Sequence, residues 1–148
     1  LENGCLAGDD SDSHVDTLAR LCPNDTIAYV RCDDPGDEHF ESLSRMEAEL
    51  RAFRTAEGRP YRLLPLPWPE ACYDEDGERL PATYANFLVV NDAVLVPTYD
   101  DPADAAALAV IGRAFPDREI IGIDCRTLIR QHGSLHCVTM QLPRGVLR

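Results

Sequence analysis

The apolar residues of this chain fall into short runs that are separated by polar turns and by two longer amphipathic stretches. The runs are rich in β-branched and aromatic residues, which is typical of strands. In the amphipathic stretches, Leu43 and Leu50 share one helical face, and Leu108 and Ile111 share another. The pattern predicts two helices and six strands, the strands at residues 14–21, 26–30, 61–66, 84–90, 93–96 and 119–123.

An internal repeat organises these elements. Asn-Asp at 24–25 and 91–92 is followed, after seven intervening residues in both cases, by Asp-Asp-Pro-Xaa-Asp at 33–37 and 100–104. Asn-Asp favours a turn between strands, and Asp-Pro favours the start of a helix. The repeat therefore predicts an α/β protein in which the unit strand, strand, helix, strand occurs twice. The two units are predicted over about residues 14–66 and 84–123.

The same repeat gives a structural role to acidic clusters that otherwise resemble a metal site. We expect Asp34 and Asp101 to cap the two helices, with Pro35 and Pro102 at the first helical position. Carboxylates near a helix N-terminus also interact favourably with the helix dipole. We therefore assign these aspartates to the helix termini and expect no bound metal.

The charge balance limits the classes of partner. The chain has 148 residues, 26 of them acidic and 14 basic, so its formal net charge is −12. This length fits one domain, and a hydrophobic content of 45% is sufficient for a core. An acidic surface repels phosphate groups and favours cationic ligands, so we expect neither nucleic acid nor a membrane surface as a partner. The longest apolar run, residues 105–111, is far shorter than the roughly 20 residues of a membrane-spanning helix.

The cysteine spacing argues against a disulfide or zinc scaffold. None of the six cysteines forms a Cys-x2-Cys or Cys-x4-Cys pair. A chain of this length also does not depend on disulfides for its stability. We therefore expect reduced thiols and a cytoplasmic location.

Cys137 is the candidate nucleophile. It lies in the terminal segment, residues 131–148, where a Gly-containing turn runs into an alternating stretch. A free thiol has a pKa of about 8.5 and needs a cationic neighbour or a base to become a thiolate at neutral pH. Because successive side chains of a strand point to opposite faces, we expect that base to come from elsewhere and not from the adjacent His136. The alternative is a small cysteine buried in the core.

His14 and Asp16 form a second candidate pair. At the two-residue period of a strand, both side chains lie on one face and point into one cavity. An imidazole can carry protons near neutral pH, and a carboxylate can bind a guanidinium through two parallel hydrogen bonds. The alternative is a hydrogen-bonded strand histidine beside a surface acid.

Together these segments resemble the family of agmatine deiminases and bacterial (Porphyromonas-type) peptidylarginine deiminases, within the pentein superfamily. The resemblance rests on residues 8–20, 84–97, 115–119 and 133–137. These segments are distributed along nearly the whole chain and occur in the family's order. It implies a β/α-propeller of five ββαβ modules, of which this chain holds about two and a terminal strand that bears the cysteine. The family's first half is missing and the chain begins at Leu1 rather than at Met, so we expect a C-terminal fragment or a processed chain.

By this resemblance, Cys137 is the nucleophile and His14 is the general acid and base. Asp16 and Asp10 are implied to bind the substrate. The implied reaction hydrolyses agmatine to N-carbamoylputrescine and ammonia through an S-alkylthiouronium intermediate, with no metal or organic cofactor, and supplies putrescine synthesis. Peptidyl-arginine is the alternative substrate. We expect a small cationic guanidino substrate, a homodimer, and an inactive isolated chain, because the missing half carries part of the site.

Two hypotheses from other classes stay open at this point. One is a non-catalytic pentein-like binding module, although the joint presence of His14, Asp16 and Cys137 argues against it. The other is a redox-sensing thiol protein, which requires a resolving cysteine. Cys125 is the candidate for that role, since it is the nearest cysteine in sequence.

Overall fold

The computed structural model of the chain describes residues 1–9, 14–143 and 145–146. In this part of the chain, two three-stranded sheets are each accompanied by one α-helix. Three short 3-10 helices lie outside the two sheets. None of the described helices is long and apolar enough to cross a membrane.

The first sheet has β2 as its middle strand. It consists of β1 (Ala19–Cys22), β2 (Thr26–Val30) and β3 (Arg62–Leu66). β1 and β2 form an antiparallel hairpin, and helix α1 (Phe40–Ala52) connects β2 to the parallel strand β3. All five residues of β2 are buried, because a middle strand is covered on both faces.

The second sheet repeats this arrangement. It consists of β4 (Leu88–Val90), β5 (Ala93–Thr98) and β6 (Glu119–Asp124), with helix α2 (Asp104–Ala114) between the parallel strands β5 and β6. The predicted pair of ββαβ units is therefore confirmed. Helix α2 contacts its own β6 and also β3 of the first unit, so it helps to join the two units.

The Asn-Asp turns occur where the repeat predicts them. Asn24 has φ 57°, Asp25 has φ 51°, and Asn91 has φ 37°, all in the left-handed region. Asn and Asp adopt this region more readily than most residues with a side chain, so they suit tight hairpin turns.

The helices do not begin where the Asp-Pro pairs predict. The N-caps are His39 and Ala103, so the assignment of Asp34 and Asp101 as caps is wrong. Instead, Asp34 accepts the backbone N–H of Gly36 (2.8 Å), and Asp101 accepts the backbone N–H of Ala103 (2.7 Å). These hydrogen bonds close a short Asx turn in each unit, and such turns compete with the first turn of a helix.

A charged cluster fastens the connector between the units to the first unit. The carboxylate of Asp37 accepts hydrogen bonds from the side chains of His39 (2.7 Å), Arg79 (2.8 Å) and Trp68 (3.1 Å). Burial alone would raise the pKa of Asp37, but these hydrogen bonds outweigh it and hold that pKa well below its usual range. The other ring nitrogen of His39 accepts the backbone N–H of Ala7 (2.8 Å), so the cluster also holds the first residues of the chain.

The terminal segment differs from the predicted strand. Leu128–Gln131 and His136–Val138 are 3-10 helices, and the expectation of a terminal strand that bears the cysteine is wrong for these residues. His132, at φ 63°, ends the first of these helices and changes the direction of the chain. A segment that turns within five residues cannot continue as a strand.

Candidate active site

Asp16 lies on the 3-10 helix Val15–Thr17, which precedes β1. The Thr17 hydroxyl donates to the backbone carbonyl of His14 (2.8 Å), and this bond closes the turn. The turn replaces the first part of the strand predicted at 14–21, so the prediction that His14 and Asp16 share a strand face is wrong. His14 lies at the start of the turn with its side chain exposed, whereas Asp16 is half-buried.

The fully buried side chain of Asn86 joins Asp16 to the terminal segment. Its Nδ2 donates to Asp16 Oδ2 (3.1 Å). Its Oδ1 accepts the backbone N–H groups of His136 (2.7 Å) and Cys137 (3.3 Å). A buried amide must find partners for both its donor and its acceptor, and here each partner belongs to a different turn. The sequence pattern assigned no role to Asn86, although a single amide in the apolar stretch 84–90 was a usable signal.

Cys137 is exposed on the 3-10 helix His136–Val138. Its Sγ lies 3.5 Å from Asn86 Oδ1 and 4.0 Å from Asp16 Oδ2. The exposure excludes the alternative of a buried core cysteine. The candidate nucleophile and the candidate guanidinium-binding carboxylate, which are 121 residues apart in sequence, therefore lie side by side.

His136 contributes to the same cluster. Its Nδ1 donates to Asp16 Oδ2 (2.7 Å). The expectation that residues 136 and 137 point to opposite faces assumed a strand. In a 3-10 helix, three residues complete one turn, so neighbouring side chains can approach one common group. Asp10, the other predicted substrate-binding residue, lies outside the described residues.

A series of buried hydroxyl groups links the two turns of the site. The Tyr99 hydroxyl lies 3.0 Å from Ser134 Oγ and donates to the backbone carbonyl of Thr83 (2.9 Å). The Thr83 hydroxyl in turn donates to the backbone carbonyl of Thr17 (2.7 Å). Burial raises the pKa of Tyr99 and outweighs the opposing hydrogen bonds, so the phenol remains a donor. The segment before Cys137 is thereby connected to the turn that carries Asp16.

Arg20 lies close to Asp16, and its side chain makes structural contacts with Phe87. Its guanidinium donates to the backbone carbonyl of Phe87 (2.6 Å) and stacks over the Phe87 ring, 4.8 Å from the ring centroid. Burial lowers the pKa of Arg20, and the neighbouring Asp16 partly offsets this effect. Arg20 and Asp16 border an apolar concavity of about 520 Å³, whose lining includes Leu21, Leu50 and Phe53.

Cys137 differs from most of the other cysteines in its environment. All six are free thiols. Cys32 and Cys125 are buried, and burial raises the pKa of both thiols, which disfavours the reactive thiolate. Cys125 is therefore poorly suited to act as a resolving cysteine. Cys5 is the other exposed cysteine. Within the described ranges, no group of three or more His, Cys, Asp or Glu side chains could hold a metal ion.

Comparison with known protein families assigns the chain to one of them. The profile of the Porphyromonas-type peptidyl-arginine deiminases matches residues 1–143. The chain belongs to this family. The resemblance inferred from the sequence segments is therefore confirmed, and family membership agrees with the two ββαβ units.

The relatives of the chain include enzymes named agmatine deiminases. The chain is 33% identical to agmatine deiminase of Pseudomonas putida over 97% of its own length. A crystal structure of a Porphyromonas gingivalis protein superimposes with a TM-score of 0.95 at 63% identity over 98% of this chain. A C. jejuni agmatine deiminase with one cysteine changed to serine, solved with substrate bound, has a TM-score of 0.83 at 46% identity over 92% of this chain.

The chain is shorter than these family members. It spans 44% of the Pseudomonas putida enzyme, 42% of the Porphyromonas gingivalis chain and 39% of the C. jejuni chain. The chain therefore matches less than half of the length of each of these three relatives.

Proposed function

We propose that this chain carries the nucleophile and one substrate-binding carboxylate of a guanidine-hydrolysing deiminase. The observation that supports this most directly is the position of Cys137 Sγ, exposed and 4.0 Å from Asp16 Oδ2, on a turn that Asn86 holds. Such a pair can bind a planar cation at the carboxylate and present a sulfur to its central carbon. The family of the chain and the names of its relatives agree with this chemistry.

In the proposed reaction, the guanidinium binds at Asp16 and the Cys137 thiolate attacks its central carbon. A C–S bond forms, and the tetrahedral adduct then loses one nitrogen as ammonia, which takes up a proton from His14. The remaining S-alkylthiouronium is attacked by water, and His14 accepts the water proton. In this second adduct the C–S bond breaks and the hydroxyl proton leaves to solvent, which gives the ureido product and restores the thiolate. No atom is oxidised or reduced in this cycle. The proposal includes no metal or organic cofactor.

The exposed position of His14 supports its proposed role, since a group that exchanges protons with water must reach solvent. His14 precedes Asp16 by two residues at the start of the same turn. His136, which donates to Asp16, lies beside any guanidinium bound there and helps to orient the carboxylate. The bound cation also favours the thiolate form of Cys137 over the thiol.

Agmatine is the proposed substrate, with N-carbamoylputrescine as the product. The names of the Pseudomonas putida and C. jejuni relatives favour it. Arg20, the arginine beside Asp16, directs its guanidinium to Phe87 and so is not available to bind a substrate carboxylate, which suits a substrate that has none. Peptidyl-arginine is the second candidate, because the matching family profile carries that name.

We propose in addition that residues outside this chain complete the site. The chain spans less than half of its relatives, and the apolar concavity beside Asp16 is a surface that a further module can cover. Leu21, on the edge strand β1 at this surface, is 74% exposed. The proposal also includes a homodimer, a cytoplasmic location, and inactivity of the chain on its own.

The test is a colorimetric assay of ureido product from agmatine and from a peptidyl-arginine substrate. It compares the complete polypeptide that contains this chain, its Cys137→Ala variant, its Cys5→Ala variant as the matched exposed cysteine, and the chain alone. We expect product from the complete polypeptide and from Cys5→Ala, and none from Cys137→Ala or from the chain alone. Absence of product from both substrates with the complete polypeptide would refute the deiminase proposal and favour a binding module.

A further inference from the structure

His132 has an unusual backbone for a histidine. It ends the 3-10 helix Leu128–Gln131 with φ 63° and ψ 23°, in the left-handed region that Gly and Asn adopt more readily. The next residue, Gly133, could take such a conformation without strain, yet the chain places it at the histidine. A strained residue of this kind persists only where surrounding contacts hold it in place.

The contact that holds His132 is made with the first residues of the chain. Its Nδ1 is 3.0 Å from the backbone carbonyl of Gly8, which is 124 residues away in sequence. A carbonyl only accepts hydrogen bonds, so the ring proton is on Nδ1. Gly8 itself lies between two residues that make further contacts. The Ala7 N–H donates to His39 (2.8 Å), and Asp9 Oδ2 lies 3.1 Å from the Thr17 hydroxyl, whose single proton it shares with the backbone carbonyl of His14.

His132 is also connected to the candidate nucleophile Cys137 through the packing of Gly133. The next residue, Gly133, packs on Cys137 so tightly that a β-carbon there would lie 3.2 Å from Cys137 Cβ. A shift of His132 is therefore passed to Cys137 through Gly133. In the other direction, the residues that follow Gly8 and Asp9 lead to the turn that carries Asp16.

We propose that His132 is a positioning residue that ties the turn of Cys137 to the segment at Gly8 and Asp9. This inference rests on the proposed function of Cys137 and Asp16. His132 does not touch the reacting atoms in this role. It fixes the spacing between the nucleophile and the carboxylate-bearing segment, and the hydrogen bond to Gly8 compensates for the left-handed backbone.

A matched pair of variants separates the hydrogen bond from the backbone. Asn and Asp have the same shape and both tolerate the left-handed region, but only Asn has an N–H donor, at the place of the histidine Nδ1. We expect His132→Asn to keep kcat/KM within twofold of wild type and His132→Asp to lose about fivefold, which corresponds to one neutral hydrogen bond. A negative charge at this position would also disfavour the Cys137 thiolate, so the uncharged His132→Gly variant, which lacks the donor as well, separates this effect from loss of the hydrogen bond.

His132→Gly is the control for a purely structural role. Gly removes the backbone strain, so its Tm should not fall below that of His132→Asp, while kcat/KM should fall about as much as in His132→Asp. All variants are made in the complete polypeptide. Equal kcat/KM in the Asn and Asp variants, or wild-type kcat/KM in the Gly variant, would overturn the inference.

Two readouts do not depend on turnover, and they distinguish failure of this inference from failure of the proposed function. Nitrogen-15 NMR of the His132 ring should show the proton on Nδ1. The rate of Cys137 alkylation by iodoacetamide should change in His132→Gly, which has neither the donor nor an added charge, and not in His132→Asn. A proton on Nε2 alone, or equal alkylation rates in all variants, would overturn the inference even if the wild-type polypeptide hydrolyses no guanidine.

Discussion

Two glycines of this chain have the same φ angle and opposite surroundings, and they allow a quantitative test of how the first residues are held. Gly8 and Gly58 both have φ +79°. A β-carbon on Gly58 would meet nothing within 4 Å, whereas one on Gly8 would lie 2.1 Å from the backbone oxygen of Arg79. Replacement of each glycine by Ala therefore adds the same backbone strain and differs in the steric clash.

The expected magnitudes follow from these contacts. Gly58→Ala should cost about 1 kcal/mol, because a residue with a β-carbon is strained at this φ. In Gly8→Ala the segment must also move away from Arg79, since a contact of 2.1 Å is far inside the van der Waals distance. That movement breaks the hydrogen bonds to His39 and His132, each worth about 1 kcal/mol. The total is about 3 kcal/mol, and release of the whole segment limits the cost to this range.

Urea unfolding followed by fluorescence measures this difference. The chain has a single tryptophan, Trp68, which lies in the Asp37 cluster that Arg79 shares. We expect Gly8→Ala to be less stable than Gly58→Ala by about 2 kcal/mol. Equal losses within about 0.5 kcal/mol would refute the reasoning, because they would mean that the segment does not pack against Arg79 in solution.

Three further predictions concern buried polar groups. Asn86→Asp places a second carboxylate beside Asp16, and the repulsion raises the pKa of the introduced carboxyl group. The free energy of unfolding should therefore fall increasingly as the pH rises from about 4 to 7, by up to about 4 kcal/mol. The exposed control Asn24→Asp should change the free energy of unfolding by less than about 0.5 kcal/mol. Tyr99→Phe should cost about 2 kcal/mol in urea unfolding because its buried partners lose a hydrogen bond, and the exposed control Tyr73→Phe should be neutral. The pKa of Asp37 is lowered in the folded protein, so its contribution to the free energy of unfolding is present above about pH 4 and is lost as the pH falls. Asp37→Asn should therefore lower the free energy of unfolding by about 3 kcal/mol at pH 7, and acid unfolding should show a progressively smaller difference below pH 4.

The sheets could be predicted from the sequence because their determinants are local. Apolar runs and the turn-forming Asn-Asp pairs set the strands, and the repeat sets their order, so β2 was predicted with its observed bounds. The helix starts could not be read in the same way. Asp34 and Asp101 can either cap a helix or close an Asx turn, and only the packing of the following residues selects the second.

The candidate site was predicted in its residue types and missed in its geometry. Asp16 and Cys137 are brought together, as expected, but on 3-10 turns and not on strands. The contacts that assemble them join residues 50 to 121 positions apart, through Asn86 and His136. A periodic pattern reports only on neighbours along the chain, so it carries no information about such pairs.

The two ββαβ units also differ in one instructive respect. Both keep the Asx turn after β2 or β5, but α2 starts three residues after its Asx aspartate and α1 starts six residues after it. The additional residues of the first unit include Asp37 and His39, which bind the connector and the start of the chain. The register of the parallel strand pair is the same in both units despite this extra length: Thr26 pairs with Arg62, and Ala93 pairs with Glu119. A duplicated unit can therefore acquire new contacts by lengthening one loop, because its hydrogen-bonded frame does not depend on that loop, and the two copies are free to diverge there.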